Sequence, residues 1–263
     1  MTLLSTGAPP PAPPSEISHP SHPEHNLTLV PTGQEVFNCN GCRENVTGAN
    51  RYTCKTCNFD LHEACNLAEG TRLVHPLLPK RTFELRLEAP RSSERCSACG
   101  AHVKGIHYHC GRKNLYLHPC CAKLPMEIPL GDELTFELVE KGSNCCTECR
   151  KGGGVRDYWF YRSTCKTVYL HVSCAKEGFL TPGSSSTEPD VDDHGSLARF
   201  VNDTASRKHK HGPGKSGQNW EIISDIIKAL TGIIIAVLTG NPAPLILAGF
   251  DLGSNVIKSL RTR

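Results

Sequence analysis

The sequence has few aromatic residues, a low net charge and no apolar run near its beginning. Phe, Trp and Tyr make up 6% of its 263 residues, and 19 Pro and 23 Gly are spread along it, which argues against one large apolar core. The formal net charge of +3 is dispersed, so charge alone does not indicate nucleic-acid binding. The opening residues, MTLLSTGAPPPAPPSEIS, have neither a basic start nor a long apolar stretch, and we expect no secretory signal.

Cysteine and histidine are the residues in excess, with 15 and 13 copies. Small domains that bury little apolar surface are commonly held together by disulfides or by metal ions. A disulfide framework requires an oxidising compartment. The odd number of cysteines, and histidines at fixed offsets from them, favour metal ligands instead. We therefore predict zinc as the cofactor and a reducing location, cytoplasmic or nuclear.

One arrangement of these residues occurs three times along the chain. The fullest version contains YTCKTCNFDLHEAC, and TFEL precedes each of the two later copies. The three copies contain Cys39, Cys42, Cys54, Cys57, His62 and Cys65; Cys96, Cys99, Cys110, His118 and Cys121; and Cys146, Cys149, Cys165, His171 and Cys174. An internal repeat of this length predicts three small modules in tandem.

The spacing suits the coordination chemistry of zinc. Zinc takes four nitrogen or sulfur ligands in a tetrahedron, at about 2.0–2.3 Å. A CxxC turn can supply one edge of the tetrahedron, and a His followed three residues later by Cys can supply the opposite edge. Four protein ligands leave no open coordination position, so such a site is structural. We therefore predict that the protein is not an enzyme and has no catalytic residues.

The first copy resembles the divergent C1 domain, a Cys/His-rich relative of the phorbol-ester and diacylglycerol-binding domain that is abundant in plants. The order H–CxxC–CxxC–HxxC–H carries the resemblance, and YLHPCCAKLP and YLHVSCAKEG extend it over residues 22–178. It implies two interleaved ligand sets and a part in stress or defence signalling. The sets are Cys39, Cys42, His62 and Cys65, and His25, Cys54, Cys57 and His75, with His22 as the alternative to His25.

The later copies depart from this pattern at the second ligand set. Lys113 stands at the position of Cys57 in the second copy, and Ser163 and Lys166 replace both cysteines in the third. One site is expected in each, which gives about four zinc ions in total. The expected ligands are Cys96, Cys99, His118 and Cys121, then Cys146, Cys149, His171 and Cys174. The remaining Cys110, Cys120, Cys145, Cys165, His102, His107 and His109 either rebuild an irregular site or, for the cysteines, are buried apolar residues.

Other binding classes fit the sequence less well. A PHD finger would use Cys96 and Cys99 as its closing pair, but these cysteines begin the next copy, and a RING domain needs a further CxxC. Diacylglycerol-binding loops carry Pro, Gly and Gln among apolar residues, whereas RENVTGANRYT is short and polar. We therefore expect protein partners, and neither diacylglycerol nor nucleic acid. A nucleic-acid-binding zinc protein, a ubiquitin or chromatin factor and a thiol redox enzyme are the alternatives.

The predicted fold class is a tandem of small zinc-stabilised α+β modules followed by an apolar α-helical hairpin. Each module has short antiparallel strands, as the alternation at Phe83, Leu85 and Leu87 indicates, and one short helix after HxxC. The predicted segments are a disordered Pro-rich lead at 1–18, modules at 19–80, 81–129 and 130–178, a disordered linker at 179–219 and the hairpin at 220–263.

The last segment, 220–263, allows three interpretations. Residues 229–250 carry no charge and are long enough to cross a bilayer, but NPAP at 241–244 breaks them into two short halves. A hairpin dipping into one leaflet satisfies this pattern and would make the protein membrane-associated. A helical element that packs on the modules or self-associates also fits, and a true transmembrane span is the third interpretation.

Overall fold

The described residues of the chain form three four-stranded antiparallel sheets, one two-stranded sheet and two α-helices. The structure is a computed structural model, which describes residues 13–31, 36–47, 50–130, 134–141, 145–151, 158–180 and 216–239. The first sheet has the order β1 (Glu16–His19), β2 (His22–Pro31), β5 (Asn50–Thr53) and β6 (Asp60–His62), with the separate hairpin β3 (Val36–Asn38) and β4 (Asn45–Thr47). The second contains β7 (Arg72–Val74), β8 (Thr82–Arg86), β9 (His107–Cys110) and β10 (Leu115–Leu117), and the third β11 (Glu127–Leu130), β12 (Leu134–Val139), β13 (Phe160–Ser163) and β14 (Tyr169–His171).

The last three strands of each sheet share one register. A tyrosine on the middle strand lies between two leucines: Leu29, Tyr52 and Leu61; Leu85, Tyr108 and Leu117; and Leu138, Tyr161 and Leu170. Paired residues on adjacent strands point to the same face of a sheet, so each tyrosine lies beside its two leucines. All three tyrosines are buried. The prediction of small Cys/His-rich modules built from short antiparallel strands is confirmed.

The helical segment at each HxxC differs among the modules. It is a single 3₁₀ turn at Glu63–Cys65 and at Cys121–Lys123, and an α-helix, α1, only at Val172–Leu180. In the second module, Pro125 restricts the residue before it to extended conformations, and Leu124 accordingly has φ −59° and ψ 127°. The expected short α-helix is therefore present in the third module alone.

The sheets begin earlier than the predicted segments. β1 lies partly in the lead that was expected to be disordered, because Glu16 pairs with Thr28 and the hydroxyl of Tyr52 donates to the carbonyl of Pro14 over 2.9 Å. β7 and β11 lie at the ends of the predicted first and second modules, yet each pairs with the first TFEL-containing strand that follows it. We therefore define each module by its four-stranded sheet.

Neighbouring modules dock through the same backbone contact. The carbonyl of Gly41, the third residue of its CxxC turn, accepts from the N–H of Ile106 over 2.9 Å. The equivalent carbonyl of Ala98 accepts from the N–H of Trp159 over 3.1 Å. A Cβ atom on Gly105 would lie 2.0 Å from the oxygen of Gly41, so the first contact requires glycine there.

A second helix, α2 (Ser216–Thr239), packs on the second and third modules. It contacts α1, β11 and the 3₁₀ turn Cys121–Lys123. Its buried apolar residues recur at helical spacing along one face and include Ile226, Ile227, Leu230 and Ile234. On its exposed side Lys228 pairs with Asp225 over 3.2 Å. The first half of the apolar tail is thus a packed helix.

The second half of the predicted hairpin, with the NPAP break, lies outside the described residues. Within the ranges given above, no helix combines the length and the apolar character needed to cross a membrane.

Candidate metal centres

In the part of the chain that the structure describes, four clusters of cysteine and histidine bring their ligand atoms within 4.8 Å of one another. We call the CxxC–HxxC cluster of each module its inner cluster, and the further cluster of the first module the outer cluster. The inner clusters are Cys39, Cys42, His62 and Cys65; Cys96, Cys99, His118 and Cys121; and Cys146, Cys149, His171 and Cys174. The outer cluster is His22, His25, Cys54 and Cys57.

Each inner cluster is assembled from the same local structures. The CxxC turn is closed by an N–H that donates to the carbonyl of the first cysteine, as from Arg43 to Cys39 over 2.8 Å. The residue after the second cysteine has a left-handed backbone, with φ 64° at Arg43, 74° at Gly100 and 61° at Arg150. The histidine lies at the end of the last strand or just beyond it, and the helical segment that follows places the final cysteine beside it.

The distances between ligand atoms fit zinc. Bond lengths of about 2.3 Å to sulfur and 2.0–2.1 Å to nitrogen give tetrahedral edges of about 3.6 Å for S···N and 3.8 Å for S···S. His62 Nδ1 lies 3.3 Å from Cys42 Sγ and 3.8 Å from Cys65 Sγ. In the other modules the corresponding distances are 3.4 and 3.9 Å, then 3.4 and 3.6 Å, and Cys146 Sγ lies 3.8 Å from Cys174 Sγ. Each inner cluster can therefore hold one zinc ion.

The outer cluster uses both histidines that the sequence left as alternatives. His25 Nδ1 lies 3.4 Å from Cys57 Sγ. One ring nitrogen of His22 lies within 4.8 Å of the other ligand atoms of this cluster. Cys54 Sγ accepts from the N–H groups of Thr56 and Cys57 over 3.4 and 3.2 Å, which orients it toward the cluster. These two histidines and two cysteines can hold the fourth zinc ion.

His75, which the resemblance placed in the outer ligand set, lies elsewhere. It follows β7 in the second sheet, where its Nδ1 accepts from the N–H of Leu77 over 3.1 Å and its ring packs 4.7 Å from that of Trp159. His19 holds the equivalent place in the first sheet and accepts in the same way from Ser21 over 3.1 Å. His75 is thus a buried residue between the second and third modules.

The repeated sequence carries a signal for this arrangement in the segments that precede the CxxC turns. HPSHP at residues 19–23 and HPLLP at 75–79 are equivalent segments. Aligning them places His75 opposite His19 and leaves Leu78 at the position of His22. His22 therefore has no counterpart ligand in the second module.

The later modules carry other residues at the place of the outer cluster, and in the third these make new contacts. In the third, Ser163 replaces Cys54, and its buried hydroxyl accepts from the N–H groups of Thr167 and Val168 over 3.2 and 3.0 Å. Among the described residues, no metal-ligand cluster contains Cys110, Cys120, Cys145, Cys165, His102, His107 or His109. An irregular second site is therefore absent from the described part of these modules, where Cys110 and Cys120 are buried and Cys145 and Cys165 exposed.

In each inner cluster the neighbouring groups favour ionisation of one thiol over the others. Hydrogen bonds from Cys42 and Cys65 lower the pKa of Cys39, and the bonds to Cys39 raise the pKa of both partners. Burial alone would lower the pKa of His62, yet hydrogen bonds to Cys39 and Cys42 raise it well above its usual value. In the third module, hydrogen bonds from Cys146 lower the pKa of Cys149 in the same way. Zinc displaces the remaining protons when it binds, so its affinity falls on acidification.

Substitution of His22 and of His75, one at a time, shows which of the two histidines is a ligand of the outer cluster. We expect His22→Ala to leave about three zinc ions per chain, because zinc takes four ligands and this change removes one of the outer four. His75→Ala should retain all four. Metal analysis of the two purified variants, each of which loses one histidine side chain, measures the difference. Equal zinc contents, or loss in His75→Ala alone, would refute the assignment of His22.

Comparison with known families supports the zinc assignment of the first module. Residues 20–66 match a family model described as the C1 domain. The matched range contains the inner and outer clusters of the first module. No curated protein and no solved structure gives a significant match to the chain. The chain therefore contains a C1-type zinc-binding domain, together with two further modules that each have a zinc-binding cluster.

Proposed function

We propose that the protein is a non-enzymatic scaffold in which three C1-type zinc modules recognise protein partners, in a signalling role. The observation that carries the proposal is the closed character of the four clusters. Each offers four protein ligands, so a bound zinc ion has no open position for a substrate or an activated water. The zinc ions stabilise the fold, and the surfaces of the modules bind the protein partners.

The C1 interpretation of the second and third modules rests on their structure. Their middle strands repeat the tyrosine register of the first module, and their inner clusters repeat its ligand order. Among their described residues neither has an outer cluster, and we interpret them as reduced forms of the first module. The divergent character that the sequence suggested, and a place in stress or defence signalling, belong to this proposal.

The position of α2 supports a protein-binding function over membrane attachment by this helix. Its apolar face, with Ile226, Leu230 and Ile234, is buried against the modules and is not free to enter a bilayer. We propose that the helix acts as an intramolecular cap on the second and third modules. Attachment through this face would require the helix to leave the modules first.

Capture from an extract with the zinc-loaded chain as bait, followed by calorimetry with each purified candidate, tests the proposal. The matched control is a chain with Cys65, Cys121 and Cys174 each replaced by alanine, which loses one ligand per inner cluster. A partner that binds the loaded chain directly and not the control supports the scaffold function. Ubiquitin transfer in a reconstituted reaction would replace it with an enzyme function, and flotation with vesicles at the same affinity would replace it with a membrane function.

A further inference from the structure

Glu44 connects all three modules through one carboxylate. It lies in the first module, two residues after Cys42, and only 11% of its side chain is exposed. One carboxylate oxygen lies 3.5 Å from Nε2 of His118, a metal ligand of the second module. The other accepts a hydrogen bond from the ammonium of Lys176, which belongs to α1 of the third module.

The contact of Glu44 with His118 is of the kind that orients a ligand histidine and strengthens its bond to the metal. Nδ1 of His118 faces Cys99 Sγ at 3.4 Å, so Nε2 carries the proton when Nδ1 binds the metal. That N–H points toward the carbonyl of His102 at 3.3 Å and toward Glu44. Oxygen acceptors on the far nitrogen hold the ring in place and make it a stronger metal ligand. His62, its counterpart in the first module, has a buried Nε2 with no hydrogen-bond partner in the described structure.

Lys176 approaches the same cluster at a different ligand, Cys99. Its Nζ lies 3.9 Å from Cys99 Sγ, and 13% of its side chain is exposed. Three thiolates and one neutral imidazole around Zn²⁺ carry one net negative charge, which a nearby ammonium stabilises. The inner cluster of the second module is therefore contacted by an anion from the first module at its histidine and by a cation from the third at a thiolate.

We propose that Glu44 and Lys176 act as positioning residues for the zinc site of the second module, and that they couple retention of this zinc to docking of the other two modules. By linkage, the coupling works in both directions. Zinc in the second module holds the groups that Glu44 and Lys176 contact, and the docked modules in turn slow the loss of that zinc. This inference concerns the internal organisation of the chain and is independent of which partners it binds.

The test uses the full zinc-loaded chain and measures zinc loss at each cluster separately. A chelator and a thiol-alkylating reagent are added together, and mass spectrometry of peptides follows alkylation of Cys96, Cys99 and Cys121 over time. The third-module cysteines provide the internal reference. Glu44→Gln keeps the shape of the side chain and removes its charge, and Glu84→Gln is the matched control, because Glu84 is exposed and pairs only at the surface with Arg86 over 3.2 Å.

We expect Glu44→Gln to speed alkylation of the second cluster about tenfold, with the third cluster unchanged, since loss of such outer contacts typically weakens metal binding by about 10–100-fold. Glu44→Asp should restore part of the protection, which loss of packing alone would not explain. Lys176→Met should produce a similar acceleration, and the double variant should add little to either single change, because the two residues act as a unit.

Three results would overturn the inference. One is an unchanged rate at the second cluster in Glu44→Gln. Another is equal acceleration at the second and third clusters, which would indicate a general loss of stability. The third is strict additivity of Glu44→Gln and Lys176→Met, which would show that the two contacts are independent.

Discussion

Removal of zinc from the full chain by excess chelator is expected to abolish the folded structure of all three modules. Their strands are 3 to 10 residues long, and in each module a metal cluster joins the CxxC turn to the end of the last strand. Structural zinc sites contribute about 10–16 kcal/mol of apparent binding free energy at neutral pH. That is comparable to the total stability of about 5–15 kcal/mol of an ordinary domain. Circular dichroism and the fluorescence of Trp159, which is 1% exposed, would follow the loss.

A reductant without chelator is the control for this experiment. All 15 cysteines are free, so reduction alone should leave the spectra unchanged. Added zinc should restore the folded signal after the chelator is removed. A chain that keeps its Trp159 environment without metal, or that unfolds with reductant alone, would contradict a fold held together by zinc.

A matched pair of substitutions in the second module should separate ligand from non-ligand cysteines. Cys121 and Cys110 are both buried, at 0% and 4% exposure, but only Cys121 belongs to a metal cluster. Cys121→Ala is expected to release one zinc ion and to lower the free energy of unfolding by several kcal/mol, because the three remaining ligands cannot close the site. Cys110→Ala should cost only about 1 kcal/mol, the usual effect of a modest core substitution.

Zinc content and urea unfolding of the two variants measure this difference. The thiol of Cys110 is removed by the same chemical change, so the comparison corrects for the loss of a buried sulfur atom. If Cys110→Ala also released zinc, the second module would use a ligand outside its inner cluster. If Cys121→Ala kept four zinc ions, its inner cluster would not be a metal site.

The inner clusters could be predicted from sequence because their ligands are local. A CxxC turn and an HxxC pair each place two ligands within one short segment, so the spacing of Cys39 and Cys42 or of His62 and Cys65 already restricts the geometry. The ligands of the outer cluster were harder to predict from sequence. Its histidines come from β2, and only the pairing of β2 with β5 brings them to Cys54 and Cys57. Spacing alone could not choose among His22, His25 and His75.

Contacts between modules depend on tertiary structure and left no clear trace in the sequence. The docking of Ile106 on Gly41, and the approach of Lys176 to Glu44, join residues that are far apart along the chain. The sequence also did not determine the surface on which α2 packs, because an apolar stripe is compatible with the modules, a membrane or a second chain. The lengths of the helical segments at HxxC were overestimated, because local sequence such as Pro125 ends one of them after a single turn.

The most direct test of the account is the number of zinc ions bound to the full chain. Native mass spectrometry of the protein purified at neutral pH, without added metal or chelator, gives this number together with the redox state of the cysteines. We predict fully reduced cysteines and four zinc ions, one for each cluster that the structure brings together. A chain that carries no zinc, with the cysteines paired as disulfides, would contradict it.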